Sequence, residues 1–251
     1  MEFEGKSKRL RERIKLSLPV RVLGRESKDH EWMEMSRLID VTPFGASFAL
    51  AHPTEPGRLL HLTLPMPRQL RCFDHIEDQY RVWALVRRVA APQQQLWQRG
   101  GEQPRAVIGV AFAGKHPPAS YLADPATRYE VDELSKESNL WSLREVKDEG
   151  GRAARSDDTR LHVAVNVTVE VVDDEGRVTA SEQTVTENIS RRGAAVWTTL
   201  AVERGRFVRL KSLESGLSVT AAVRAHRAGP DGIPRLHLEF IDRQWPLEGI
   251  E

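Results

Sequence analysis

The chain has 251 residues, room for two domains of ordinary size, with 40% hydrophobic and 29% charged residues and a formal net charge of +1. That composition suits a globular fold and gives the chain as a whole no bias toward a polyanion. The one cysteine, Cys72, excludes an intrachain disulfide and a cysteine-based zinc site. No apolar run reaches the length of a membrane span or a signal-peptide core, so a cytoplasmic location is expected.

The first 15 residues read as a basic arm: Lys6, Lys8, Arg9, Arg11, Arg13 and Lys15 stand against Glu2, Glu4 and Glu12. Alternating apolar residues then predict strands at 16–22, 32–39, 46–50, 59–64, 80–89 and 106–112. Turn residues separate them, among them Gly24, Pro43 with Gly45, and Pro53 with Pro56 and Gly57. The long loops are expected at 67–78 and 92–104, which are polar or rich in Pro and Gln. Alternation is lost from 114 to 158, where residues 129–146 are expected to hold one or two short helices, 139–146 being the best candidate. Trp141 in that segment is expected to pack on a neighbouring domain rather than touch a ligand. Strands return at 162–172, 184–188, 194–198, 207–210, 217–225 and 236–240, with a turn at 173–176.

The second set of strands repeats the first. Asp40-Val41-Thr42-Pro43-Phe44-Gly45-Ala46 recurs 148 positions on as Asn188-Ile189-Ser190-Arg191-Arg192-Gly193-Ala194. Glu55, Gly57, Arg58 and Leu62 recur at the same offset as Glu203, Gly205, Arg206 and Leu210. A constant offset over many positions marks a duplicated unit, and two copies imply tandem globular domains rather than a solenoid. The expected division is an arm at 1–15, a barrel at 16–115, a linker at 116–155 and a second barrel at 156–245. An arginine pair precedes the first strand of each unit. In unit one it is Arg9 and Arg13, spaced RxxxR. In unit two Arg160 matches Arg13, but Ser156 stands where Arg9 would be and Arg155 lies one residue off.

An RxxxR arm before a first strand, followed by [DN]-x-[ST]-x-x-G between two later strands, resembles the PilZ family of bacterial cyclic di-GMP receptors. Val107-Ile108-Gly109-Val110-Ala111-Phe112 is similar to the closing barrel strand of that family. The resemblance implies an all-β fold: two six-stranded antiparallel barrels in tandem, joined by a partly helical linker. It also implies a ligand site. In unit one Arg9 and Arg13 would clamp the dinucleotide, because a guanidinium fork matches guanine O6 and N7 and phosphate oxygens. Asp40 would accept from guanine or hold an arginine, Thr42 would donate a hydroxyl, and Gly45 would let the backbone approach. The weaker set in unit two is Arg155, Arg160, Asn188, Ser190 and Gly193. Thr42 followed by Pro43 departs from the family's usual Ser, and Ser156 departs from its Arg.

The implied function is a signalling receptor that couples cyclic di-GMP binding to an interdomain change or to a protein effector. The alternative is a degenerate PilZ-like interaction module that binds no nucleotide. The sequence shows no nucleophile elbow, P-loop or GxGxxG, so no enzyme and no cofactor are expected. The eight histidines lack metal-binding spacing, so no metal is expected either. The arm has no interleaved aromatic beyond Phe3, which argues against a nucleic-acid stacking platform.

Overall fold

A computed structural model describes residues 14–15, 17–90, 105–135, 138, 140–146, 159–174, 176–229 and 231–248. Arg9, Arg13, Arg155 and the expected 92–104 loop lie outside the described residues.

Two closed six-stranded barrels account for most of the chain. The first is built from β1 (Pro19–Arg25), β2 (Glu31–Thr42), β3 (Gly45–Leu50), β4 (Leu59–Leu64), β5 (Tyr80–Ala90) and β6 (Ala106–Gly114). They close in the order β1-β2-β3-β6-β5-β4, every pairing antiparallel. Between the barrels come α1 (Ala119–Ala123) and a hairpin, β7 (Tyr129–Leu134) and β8 (Trp141–Glu145). The second barrel comprises β9 (Asn166–Val172), β10 (Val178–Ile189), β11 (Gly193–Trp197), β12 (Phe207–Ser212), β13 (Ser218–Ala228) and β14 (Pro234–Phe240). Its strand order is the same as that of the first.

Alternation drives both barrels. In β1 the buried residues are Val20, Val22 and Gly24, and the first barrel is filled by these with Phe48, Leu60, Leu62, Val82, Ile108 and Phe112. Val167, Val169, Val196, Leu210, Val223 and Leu236 fill the second. Closure leaves neither sheet with an open edge. No helix among the described residues is long and apolar enough to cross a membrane.

Three expectations need correction. Gly24 was expected in a turn, but it lies inside β1, where a Cβ would come within 2.4 Å of the Trp32 ring. Strand β10 starts at Val178 rather than 184, because pairing with β9 carries its polar first half beyond the apolar pattern. Within 129–146 the described residues form the β7–β8 hairpin and not helices; the helix among the described linker residues is the five-residue α1. Val131 and Leu143 of the hairpin pack with Trp83 on a patch of Leu59, Leu85, Tyr121 and Tyr129 outside the first barrel. Side chains at every second position meet that flat patch, which a strand satisfies and a helix does not.

The barrels meet through buried charge. Glu55, 4% exposed, takes both Arg224 guanidinium nitrogens of the other barrel, Nη1 at 2.8 Å and Nη2 closer still. Arg224 also donates through Nε to Glu239 at 2.7 Å. Arg58, 3% exposed, donates through Nη2 to Gly205 O at 2.7 Å and Glu26 O at 3.2 Å, and through Nη1 to Pro125 O at 3.2 Å. The Glu26 carboxylate receives His52 Nε2 at 2.7 Å and Phe207 N at 3.3 Å. Arg206 Nε lies 2.9 Å from it, an ion contact without hydrogen-bond alignment. Gly205 has φ +94°, and a Cβ there would fall 2.2 Å from Glu26 O, so the second barrel can approach this closely only with glycine.

Burial alone would raise the Glu55 pKa, but the Arg224 hydrogen bond and the charges of Arg224, Arg58 and Arg128 outweigh it and hold the carboxyl below its ordinary 4.5. A depressed carboxylate pKa contributes stability that is complete above the unfolded value of about 4.5 and lost as pH falls through the lower folded value. The barrels should therefore stay clamped at neutral pH and part only in acid. Removing one partner of a buried pair costs about 3–5 kcal/mol, because it strands the other. Glu55→Ala should lose stability on that scale in denaturant unfolding and enlarge the scattering radius at pH 7. An unchanged radius and midpoint would contradict the clamp.

Candidate functional site

The duplicated turns occupy equivalent positions. Both β2 and β10 carry a bulge just before the motif, between Leu38 and Asp40 and between Thr186 and Asn188. The bulge re-aims the next side chain, and in both barrels that is the acid or amide of the motif. Thr42 Oγ1 donates to Gly45 O at 3.2 Å and accepts from Phe44 N at 3.2 Å. Ser190 Oγ repeats this with Gly193 O at 3.2 Å and Arg192 N at 3.3 Å. A Cβ on Gly45 would meet Val110 O at 2.1 Å, and one on Gly193 would meet Leu238 O at 2.4 Å. The glycine thus has a structural reason, closure of the barrel against its last strand, besides any approach to a ligand. Cys72, the lone thiol, donates to Pro43 O at 3.2 Å and ties the 67–78 loop to the first turn; burial pushes its pKa up.

The chain enters each barrel beside its motif. Ile14 exchanges two backbone hydrogen bonds with Val41, at 3.1 and 3.0 Å, and Leu161 exchanges two with Ile189, at 2.8 and 2.9 Å. Ile14 and Leu161 directly follow Arg13 and Arg160 in the sequence. Arg160 Nη1 donates to Asn188 Oδ1 at 3.1 Å, joining two of the expected residues of unit two.

In the first barrel the motif opens on a cleft of about 260 Å³. Asp40, Thr42, Phe44 and Gly45 line it from the turn, Arg87 and Arg88 from β5, Gly109 from β6, and Val131 and Trp141 from the hairpin. Arg87 and Arg88 are exposed, and neither side chain has an ion pair or hydrogen bond among the described residues. Sequence reasoning missed both, and it assigned Trp141 to domain packing alone. Trp141 does sit on a hairpin packed against the first barrel, but it also walls the cleft. The doubled arginine at the end of an otherwise apolar strand was the available signal.

The second barrel uses the matching positions differently. Val86 and Val223 each precede a bulge and each bond the interface turn of their own barrel, so Arg224 is the counterpart of Arg87. Arg224 is withdrawn into the clamp with Glu55, which holds its pKa above the ordinary value even though burial lowers it. Ala225 stands where Arg88 would be. Arg235 is held by Glu187 Oε1 and Asp231 Oδ1, at 2.8 and 2.7 Å. His237 on β14 is half-buried, and burial with the charges of Arg227 and Arg160 holds it below the usual histidine pKa.

The PilZ domain family model matches residues 152–244, the barrel whose arginine arm is the more degenerate of the two. No curated protein sequence matches the chain. Among solved structures the chain is similar to the Bacillus subtilis inhibitor of motility MotI/DgrA, at 14% identity over 92% of this chain and 90% of that one, with a TM-score of 0.29. It is also similar to Escherichia coli YcgR in complex with c-di-GMP, at 10% identity over 90% and 76%, TM-score 0.28. A third is Borreliella burgdorferi PlzA in complex with c-di-GMP, at 8% identity over 94% and 89%, TM-score 0.28.

The backbone contact at the two glycines predicts a stability effect that needs no ligand. Gly45→Ala and Gly193→Ala should each destabilise by about 1–3 kcal/mol, the range for overpacking a closed site. Urea denaturation of the free protein checks this, and unchanged midpoints would leave the glycines without a role in barrel closure.

Proposed function

We propose, from the match of the PilZ domain family model to residues 152–244, that the chain is a cyclic di-GMP receptor whose principal site is the cleft of the first barrel. The observation that carries this reading is the cleft itself: Asp40 and Thr42 at its edge, two arginines without acidic partners, and an indole wall. That set suits a planar, anionic ligand with hydrogen-bonding edges. The entry of the chain at Ile14, beside the motif and just after the RxxxR arm, supports Arg9 and Arg13 as the remaining clamp. The engagement of Arg224 and Arg235 with acids supports a lesser role for Arg155, Arg160, Asn188, Ser190 and Gly193.

The cleft and the interface share one unit of backbone. Gly57 N donates to Val86 O and Val86 N donates to Arg58 O, both at 2.9 Å, and Arg87 follows Val86. A ligand drawing on Arg87 thus acts on the turn that carries Glu55 and Arg58 into the clamp. In this reading binding biases the interbarrel contact, and a protein effector in the cytoplasm senses it. No catalytic or cofactor role belongs to this reading.

A second reading, an interaction module without nucleotide, is favoured by a separate observation. The motif hydroxyls bond their own turns and the motif glycines serve barrel closure, so these two positions of the duplicated pattern are accounted for without a ligand.

Titration calorimetry of the full chain with cyclic di-GMP separates the two. Charge-assisted hydrogen bonds are worth about 1.5–3 kcal/mol each. Arg9→Ala and Arg13→Ala should therefore each weaken binding by about tenfold to a hundredfold, and Asp40→Ala should weaken it too. Arg160→Ala should leave the tightest site unchanged. Absence of binding by the unaltered chain would leave the second reading standing.

A further inference from the structure

Five tryptophans lie among the described residues; three have a ring partner and a fourth has a cation. Trp32 stacks on His52 at 4.1 Å, Trp83 meets His61 and Tyr121 at 5.1 Å each, Trp245 stacks on Phe240 at 5.8 Å, and Arg235 lies over Trp197 at 5.9 Å. Trp141 has neither an aromatic nor a cationic partner among the described residues, and it is the one that walls the cleft. It is also held in place. Trp141 pairs with Leu134 across the hairpin, its neighbour Leu140 packs on the core of the first barrel, and Leu143 and Val131 pack on the Leu59–Leu85 patch. An indole fixed by its neighbours, with no ring stacked on it, gives up little conformational freedom when a flat group arrives.

We infer that Trp141 is the stacking wall for one guanine base of the bound dinucleotide, and that Arg87 and Arg88 are the cations that meet its phosphates. This rests on the reading of the cleft as a cyclic di-GMP site. Base–indole stacking is a sizeable and sequence-tolerant contribution, and the unpaired arginines supply the charge the phosphates need. The size of the cleft fits one end of the ligand. Sites that enclose whole small molecules run from about 300 to 1,000 Å³, so a cleft of about 260 Å³ takes a base and leaves the rest of a dinucleotide outside it. The second barrel has no counterpart of the hairpin among the described residues, and its equivalents of Arg87 and Arg88 are the clamped Arg224 and Ala225. The wall therefore belongs to the first barrel and ranks the two motifs for ligand.

The test uses the full chain, cyclic di-GMP as the probe, calorimetry for affinity and tryptophan fluorescence for stacking. Trp141→Ala should weaken binding by about tenfold or more, and the double variant Arg87→Ala/Arg88→Ala by a similar factor. Trp141→Phe keeps an aromatic face, so it should bind within about threefold of the unaltered chain while losing most of the ligand-induced quench. That quench decides the matter even if Trp141→Ala loosens the hairpin. Binding by the unaltered chain with Trp141→Ala within about twofold of it, or a full quench in Trp141→Phe, would overturn the inference and leave the receptor reading intact. No binding by the unaltered chain would overturn both.

Discussion

The Glu55–Arg224 pair, with Glu26, Arg58 and Arg206 around it, is the constraint on which the rest of the architecture depends. Glu26, Glu55 and Arg58 are taken out of water at the junction of two barrels, and Arg206 and Arg224 largely so. Each has to find a partner there because an unpaired buried charge is far costlier than the pair is favourable. Glu55 meets Arg224, Arg58 reaches the carbonyls of Glu26, Pro125 and Gly205, and Glu26 gathers His52, Arg206 and the Phe207 amide. Such a network contributes less to net stability than its count of bonds suggests. It specifies one docking geometry, because every displaced arrangement leaves some charge without its partner. Gly205 enforces the same geometry sterically.

The clamp also explains how one duplicated unit acquires two characters. The residue after Val86 and the residue after Val223 occupy the same bulge. In the second barrel that arginine is spent on Glu55; in the first it stands exposed over the motif. The hairpin that follows the first barrel adds the cleft's outer wall, and the second barrel has none among the described residues. The match of the PilZ model to residues 152–244 and the location of the cleft in the other barrel are compatible for this reason. A motif that keeps its turn chemistry can remain recognisable while the groups around it are committed elsewhere.

Much of the fold was legible because barrel strands write their inward faces as strict alternation. Val20 and Val22, or Val167 and Val169, announce a buried face directly. The constant 148-residue offset likewise carried the tandem arrangement, the equivalent turns and, unrecognised, the interface: Glu55, Gly57 and Arg58 recur as Glu203, Gly205 and Arg206 because both turns face the junction. What stayed hidden depends on tertiary surroundings. Residues 141–145 read equally well as a short helix until the Leu59–Leu85 patch selects a strand. Gly24 reads as a turn until Trp32 is laid across it. Arg87, Arg88 and Trp141 are distant in sequence from the motif they surround, and no local spacing connects them to Asp40 and Thr42.

The central claim is that ligand enters the first barrel's cleft. Amide hydrogen exchange of the full chain with and without cyclic di-GMP tests it most directly, because slowed exchange reports where backbone is covered or stiffened. The account predicts new protection at residues 40–47, 87–89, 109–111 and 140–142, with residues 188–193 little changed. Protection confined to residues 188–193, or no protection at saturating ligand, would contradict it.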